Sequence, residues 1–600
     1  MECIKTRIHK LQNKMQEYGL DAYIIPTSDY HNSEYVSDFY KAREYFSGFT
    51  GSNGTLVVTK EEALLWTDGR YFIQAEQELT NSGIILCRMG EKDVPTILEY
   101  LQTALHEHAT IGANGRVLST AFARKVEDLC TQNQMKFEYC ADLVEELWTN
   151  RPLLPCNPVS ILPDEISGMS VKDKLFKVRD YLKNVKADAT FISKLDDVMW
   201  LFNIRGKDVV YNPVALSYAY IDGEKCILFV QETIITEQLA AFSENQGFTI
   251  EAYEKKDQIL KDIFEHEKII LVDERHLNFY DTSLISKHAK IKNGQWPTEI
   301  LKAVKNETEQ KNIKNVFLKD SVAVTKFLFY LKTNRDIRKL TEFSVANYLK
   351  SLRKEIPEYI QDSFATISAY QENAAMMHYE PSKEREVFLD DEGMLLVDSG
   401  GQYQGGTTDV TRTIVLGKLS DDVKRHYTAV TCGMLNLSFC KFLHGCTGRN
   451  LDILARQPLW EMGIDYKCGT GHGIGYMLNV HEGPQAIRFK SMDPLSDAVF
   501  EEGMLVTNEP GVYRAGEYGI RIENVMLCNK TEETSDGQFM EFETLTYVPI
   551  DIEGIEPMFM SKNEIEKLNK YHQSVYKKIS PYLDKEEKEW LFGVTRPISL

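Results

Sequence analysis

The spacing of apolar residues changes along this chain, and each change marks a part of it. Near the start, IHKLQNKMQEYG carries apolar positions at helical spacing and leads into an unbroken apolar run, AYIIPTSD, from Ala22 to Asp29. YFSGFTGSNGTLVV and ALLWTD follow. The same order returns further on, with KDKLFKVRDYLKN, then ATFISKLDD from Ala189, then WLFNIRG and YAYIDGEKCILFV. Helix, strand, aromatic-glycine turn and strand pair, met twice, predict two related α/β domains. Between them WTNRPLLPCNPVSILP, with Pro152, Pro155, Pro158 and Pro163, breaks both periods and reads as a linker.

A second boundary falls near Asn306, where Asn306 and Glu309 have the spacing of an N-cap with its returning carboxylate. Beyond it Ile313, Val316, Phe317, Val324, Phe327, Leu328 and Leu331 recur at helical spacing and predict a long amphipathic helix. A further helix is expected from Ser420 to about His444–Gly445, and another over NLDILARQPLWEMG, closed by Gly463. Glycine-rich, β-prone stretches lie between and after these helices. Helices segregated from hairpins predict an α+β domain rather than a doubly wound sheet. The expected domains are therefore 1–153, 154–305 and 306–600, the last ending in a helical extension over about 551–600 that stands outside any site.

Composition narrows the function classes. With 69 basic and 89 acidic residues the chain carries a formal charge of -20, which argues against nucleic acid or an anionic membrane as partner. No apolar run approaches the roughly 20 residues a membrane span needs. The first twenty residues contain no apolar signal core, and eleven cysteines are scattered without paired spacing. Both features lead us to expect a cytoplasmic protein with reduced thiols.

Candidate chemistry concentrates in the last third. LLVDSGGQYQGGTTDVTRT, GTGHGIGYMLNVHEGP, VTNEPGVY and YGIRIENV carry Asp398, Asp409, His472, Glu509 and Glu523. Strand-like GMLLVD and TRTIVL flank a glycine-rich loop, so one hairpin can bring Asp398 and Asp409 together; Glu509 and Glu523 repeat the arrangement. Four carboxylates and one imidazole form a hard donor set suited to Mn, Mg or mixed divalent sites. Burying four negative charges without cations would be prohibitive. Two cations roughly 3.5–4 Å apart would lower the pKa of a shared water until it is hydroxide at neutral pH. His378 in AAMMHYEP and His481 in NVHEGP suit the oxyanion and proton-handling roles such an attack requires. Arg521, two residues before Glu523 and expected on the same strand face, can orient a ligand carboxylate.

Other residues have plainer readings. His426 and His444 are expected on helices as packing or surface groups. Asp68 and Arg70, in WTDGRYF, form a turn from which Arg70 is a candidate substrate contact. The glycine-rich loops lack a Lys-Ser/Thr ending, so they are not phosphate cradles.

These segments together resemble the pita-bread metallopeptidases (M24), and among them the three-domain, cytosolic aminopeptidase P type. YFSGFTGSNG and WTDGRYF match the family's first domain, and KDKLFKVRDYL through WLFNIRG its second. HYEP, DSGGQY, TDVTRT, GHGIGYMLNVHEGP, NEPGVY and RIEN match its catalytic domain. The resemblance implies two creatinase-like α/β domains followed by an α+β pita-bread domain. It implies two divalent ions, Mn first and Zn or Co as alternatives, held by Asp398, Asp409, His472, Glu509 and Glu523, with Asp409 and Glu523 bidentate or bridging. It assigns substrate contacts to His378 and His481, proton abstraction to Glu509, and a supporting trio to Asp398, Tyr513 and Arg521. The implied reaction removes an N-terminal residue from peptides with proline second, in a homodimer. An Xaa-Pro dipeptidase is the alternative, but dipeptidases of this kind resemble the chain with one N-terminal domain only. Methionine aminopeptidases lack both N-terminal domains, and creatine amidinohydrolase lacks the ligand set. Non-catalytic peptide- or histone-binding relatives have lost ligands that are all present here.

Overall fold

A computed structural model describes residues 2–264, 267–490 and 497–599. The chain forms two compact units. One comprises Met1–Pro163 with Met169–Glu299, and the other Asp164–Gly168 with Ile300–Leu600.

The first unit is built on two six-stranded sheets of identical plan. In the first, the strands run Ile84–Arg88, Ala63–Thr67, Thr55–Thr59, Ala22–Pro26, Thr110–Ala113 and Lys136–Glu138 from edge to edge. The second runs Thr249–Ala252, Cys226–Val230, Ser217–Asp222, Ala189–Ile192, Ile269–Val272 and Lys290–Asn293. Strand senses also correspond: Ala22–Pro26 and Ala189–Ile192 each pair antiparallel on one side and parallel on the other. The repeat seen in the sequence is thus a repeat of topology. The unbroken apolar run at Ala22 has a direct cause. Tyr23 and Ile25 pack against Leu11 and Met15 of the helix Ile4–Glu17, while Ala22 and Ile24 enter the opposite layer with Val126 and Leu129. A strand covered on both faces has no position left for a polar residue.

In the second unit, the helix Glu307–Thr333 opens with the expected reciprocal cap between Asn306 and Glu309, and all seven apolar positions read from its periodicity are buried. Ser420 caps the helix Asp421–Ser438, and Gly463 takes φ +70 just beyond the helix Gly448–Trp460. The first of these helices ends earlier than its apolar pattern suggested. Lys441–Leu443 is a strand paired to Gly537–Thr544, so His444 lies past a strand and not on a helix. Sheet pairing overrode local propensity there.

The largest revision concerns the C-terminal segment. The helix Lys562–Ile579 buries Ile565, Leu568, Tyr571, His572, Val575 and Ile579. Its apolar face shares one core with Val430 and Leu435 of the helix Asp421–Ser438, and with Ile520 and Ile522 on either side of Arg521. Fully burying each such aliphatic residue is worth about 1.5–3 kcal/mol. The segment is a wall of the domain and not an appendage.

Candidate metal centre

Two strand pairs present the acidic residues, and they are constructed alike. Met394–Ser399 runs antiparallel to Val410–Val415, and Leu505–Asn508 runs antiparallel to Asn524–Thr534. Each pair opens at one end into a small inserted hairpin: Gly401–Tyr403 with Gly406–Thr407 in the first, Gly511–Arg514 with Tyr518–Arg521 in the second. Asp398 and Asp409 stand where the first pair opens, Glu509 and Glu523 where the second does. Arg521 ends the inserted hairpin, and Glu523 precedes the next strand. The two are therefore not successive positions on one strand, as their spacing had suggested, although both turn toward the same carboxylates.

His472 comes from a third strand pair, Gly471–Gly473 with Glu482–Ile487. Gly471 is there because a Cβ would stand 1.9 Å from the Thr507 carbonyl, so only glycine lets this strand lie against Leu505–Asn508. Thr507 then joins two functional groups: its hydroxyl accepts from the His472 backbone N–H at 2.9 Å and donates to Glu509 Oε1 at 3.0 Å. The His472 ring places Nδ1 2.9 Å from the Gly473 carbonyl. With the proton on Nδ1, the Nε2 lone pair faces Asp409 Oδ2 at 3.6 Å and Glu509 Oε1 at 3.4 Å.

One donor atom each from Asp409, His472 and Glu523 lies within 4.8 Å of the others. Asp398 is tied to the group through Arg521, whose Nη2 donates to Asp398 Oδ2 at 2.7 Å and whose Nη1 donates to Tyr513 Oη at 2.8 Å. Glu523 Oε2 accepts from the Thr411 hydroxyl at 2.8 Å. The opposite oxygens, Asp398 Oδ1 and Glu523 Oε1, are buried and accept no hydrogen bond from the described residues.

The electrostatics follow from this crowding. Burial first, then the Glu523, Asp398 and Glu509 carboxylates, push Asp409 well above the usual carboxylate range. Burial and the Glu509 and Asp398 charges do the same to Glu523. Burial raises Glu509 to about 7, with Arg521 pulling against it and Asp398 adding to it. These groups repel one another more than their protein neighbours compensate.

His481 lies beside His472, ring centroids 4.3 Å apart at 80°. The next residue, Glu482, is fixed deep in the unit by Lys305 Nζ at 2.5 Å and Lys302 Nζ at 3.3 Å. The segment bearing His378 is held by Arg521 and by the hairpin strand Tyr518–Arg521. Arg521 Nη2 reaches the Met377 carbonyl at 3.3 Å, and Gly519 sits so close to Ala374 that a Cβ would meet its carbonyl at 1.8 Å. Arg70 belongs to the other unit, where its guanidinium grips Asp68 through two hydrogen bonds of 2.9 Å and lies 3.5 Å from Glu34. His426 contacts Tyr518 Oη at 2.6 Å and His444 meets Glu501 at 3.0 Å, each a local contact.

Comparison with known proteins decides the family. The chain is 36% identical over 99% of its length to Xaa-Pro aminopeptidase 1 of Dictyostelium discoideum, covering 97% of that protein. The chain belongs to the Xaa-Pro aminopeptidases of metallopeptidase family M24. Aminopeptidase P1 of Arabidopsis thaliana is 35% identical over 97% of this M24 chain and 97% of its own. The sequence model of metallopeptidase family M24 matches residues 311–530, and that of its C-terminal region matches 538–598. Creatinase/prolidase N-terminal domain models match 7–147 and 150–309. Among solved structures, the X-prolyl aminopeptidase of Caenorhabditis elegans, described as a cytosolic enzyme with a di-nuclear active site, superposes with TM-score 0.91 at 33% identity. It covers 96% of this chain and 95% of its own. An Xaa-Pro dipeptidase from Bacillus anthracis aligns over 64% of this chain and 99% of its own, with TM-score 0.51 and 24% identity, a likeness of fold alone.

The residues present suit divalent cations. Four carboxylates and an imidazole are a hard donor set, and two of the carboxylates each turn one buried, unbonded oxygen away from their protein partners. Several supporting residues escaped the sequence reading. Thr411, Arg412 and Thr507 stood inside motifs already noticed, while Lys302 and Lys305 carried no local signal. The bonds from Thr411 to Glu523, from His472 to Thr507 and from Lys305 to Glu482 span 112, 35 and 177 positions of the chain.

Proposed function

We propose that this M24 chain removes the N-terminal residue from peptides whose second residue is proline. The observation that carries this reading is the cluster of buried Asp398, Asp409 and Glu523 with half-buried Glu509 and His472, in a chain homologous along nearly its whole length to Xaa-Pro aminopeptidases. Asp398, Asp409, His472, Glu509 and Glu523 would hold two divalent cations, manganese first. Bound there, such ions supply Lewis acidity that makes a water nucleophilic at neutral pH and polarises the scissile carbonyl.

The chain's own groups do the rest. Glu509, whose Oε1 lies 3.4 Å from His472 Nε2 and accepts from the Thr507 hydroxyl, takes the proton of the attacking water and passes it toward the leaving amine. His481, beside His472, and His378, on the segment held by Arg521, donate to the developing oxyanion and steady the leaving group. Arg521 and Tyr513 keep Asp398 facing the centre, and the Thr411 hydroxyl does so for Glu523. Proline in second position removes the amide N–H that most peptidases grip, so recognition must rest on shape and on the free amino terminus. The same reading includes a cytosolic location, in keeping with the worm enzyme, and a homodimer that light scattering would check.

Peptide length separates this from a dipeptidase. The manganese-loaded protein should release the first residue of Xaa-Pro-Xaa tripeptides and leave Xaa-Pro dipeptides largely intact. Preference for the dipeptide would overturn the assignment.

A further inference from the structure

We infer that the C-terminal helix Lys562–Ile579 is a working part of the metal centre, acting through a hydrogen-bonded joint between Tyr571 and Arg412 that sets the position of Glu523. The inference rests on the reading of Glu523 as a metal ligand.

Arg412 is almost wholly buried, 2% exposed, and its guanidinium reaches in two directions. Toward the site, Nη1 donates to the Glu523 carbonyl at 2.6 Å and to the Thr411 carbonyl at 2.7 Å. Away from it, Nη2 donates to Tyr571 Oη, Val548 O and Asn524 Oδ1, each at 2.8 Å, and Nε donates to Pro549 O at 3.1 Å. Tyr571, 4% exposed, returns its own hydroxyl proton to Val548 O at 2.7 Å. The guanidinium therefore stitches the strand Val410–Val415, which follows Asp409, the residues entering the strand Asn524–Thr534, and the helix Lys562–Ile579.

Glu523 has little freedom left once that joint is made. Its N–H donates to the Thr411 carbonyl at 3.1 Å, its carbonyl is taken by Arg412, and its Oε2 is taken by the Thr411 hydroxyl. Thr411 is itself held by Arg521 Nε at 3.2 Å, so both carboxylate supports converge on one threonine. The unbonded Glu523 Oε1 is then presented in one direction. A charged guanidinium with every N–H engaged is a rigid spacer, because any shift breaks several charge-assisted bonds together. Tyr571 and Arg412 are positioning residues and touch no substrate.

The test is manganese binding to chelator-stripped, refilled protein, followed by calorimetry. Tyr571→Phe keeps the ring and loses the hydroxyl, and should weaken apparent Mn²⁺ affinity by roughly 10–100-fold, the range for lost supporting contacts at a metal site. Glu523→Gln in the same assay should lose a metal equivalent altogether. If Glu523→Gln binds manganese as the wild type does, the ligand reading itself fails. If Glu523→Gln loses metal while Tyr571→Phe keeps wild-type affinity, the joint is only structural and this inference is overturned. Should Tyr571→Phe not fold, hydrogen exchange on the wild type decides. Manganese should slow exchange of the amides around Tyr571 more than those of the helix Lys585–Val594, because coupling between site and helix must act in both directions. Equal slowing in the two helices contradicts it.

Discussion

Buried charge is handled in opposite ways in the ion pairs of the N-terminal unit and at the metal centre. In the N-terminal unit, several buried acidic groups have a cation set beside them. Lys256 is bonded to Asp281 and lies 3.0 Å from Asp257, and Arg275 grips Asp273 and reaches Glu299 at 3.0 Å. Burial alone would raise Asp257, but the Lys256 and Arg116 cations hold it down at about 2. Asp273 is likewise held low by His276 and Arg275 against the effect of its burial. At the metal centre the balance is reversed. Four carboxylates converge there, and among the described residues Arg521 is the fixed cation bonded to one of their side chains. Burial and mutual repulsion push Asp409, Glu523 and Glu509 upward instead of down. The second unit also pairs buried acids elsewhere, Glu482 with Lys302 and Lys305 and Asp320 with Arg353, yet its metal centre is left short of positive charge. That deficit is the physical signature of a site completed by cations from solution.

The contrast can be broken most completely at Asp409. Asp409→Asn should abolish metal retention and peptidase activity while the fold persists. Its chelated form should also be more stable at pH 8 than chelated wild type, since one of the repelling charges is gone. The pH dependence has a definite sign. A carboxyl raised in the folded state holds its proton more tightly than in the unfolded chain, so chelated wild type should lose stability as pH climbs from about 4.5 to about 7, the window set by Glu509. Thermal unfolding with and without manganese across that range checks it.

In the paired unit the largest effect is on stability. Lys256→Met strands Asp281 as a buried, uncompensated charge and should cost about 3–5 kcal/mol. Urea unfolding measures it, and metal content per folded chain should not change. His481→Ala should retain both metals and lower kcat by roughly 10²–10³, as for loss of an oxyanion donor. Wild-type turnover in that variant would remove His481 from the mechanism. The smallest change is Thr507→Val. It removes the hydroxyl shared by the His472 N–H and Glu509 Oε1, and should cost roughly tenfold or somewhat more in metal affinity or rate.

Much of this was legible in the sequence, for identifiable reasons. The Ala22 run, the Asn306 cap and the seven apolar positions of the long helix are local patterns, and local patterns survive folding when packing agrees with them. The acidic residues were legible because each sits in a glycine-bearing stretch where a strand pair opens. What could not be read is whatever depends on partners distant in sequence. Arg412 looks like an ordinary strand cation until Tyr571, 159 positions later, is seen against it. Lys302 and Lys305 look solvated until Glu482 closes on them. The helix after Ser420 was drawn too long because nothing nearby announces that residues 441–443 pair with a strand almost 100 positions further on.

The most direct test of the central claim is metal stoichiometry measured alongside cleavage of an Xaa-Pro-Xaa tripeptide on one sample, before chelation, after it, and after manganese is returned. Two equivalents of metal per chain, activity lost with them and restored with them, is the expected result. Full cleavage by protein stripped of metal would contradict the account.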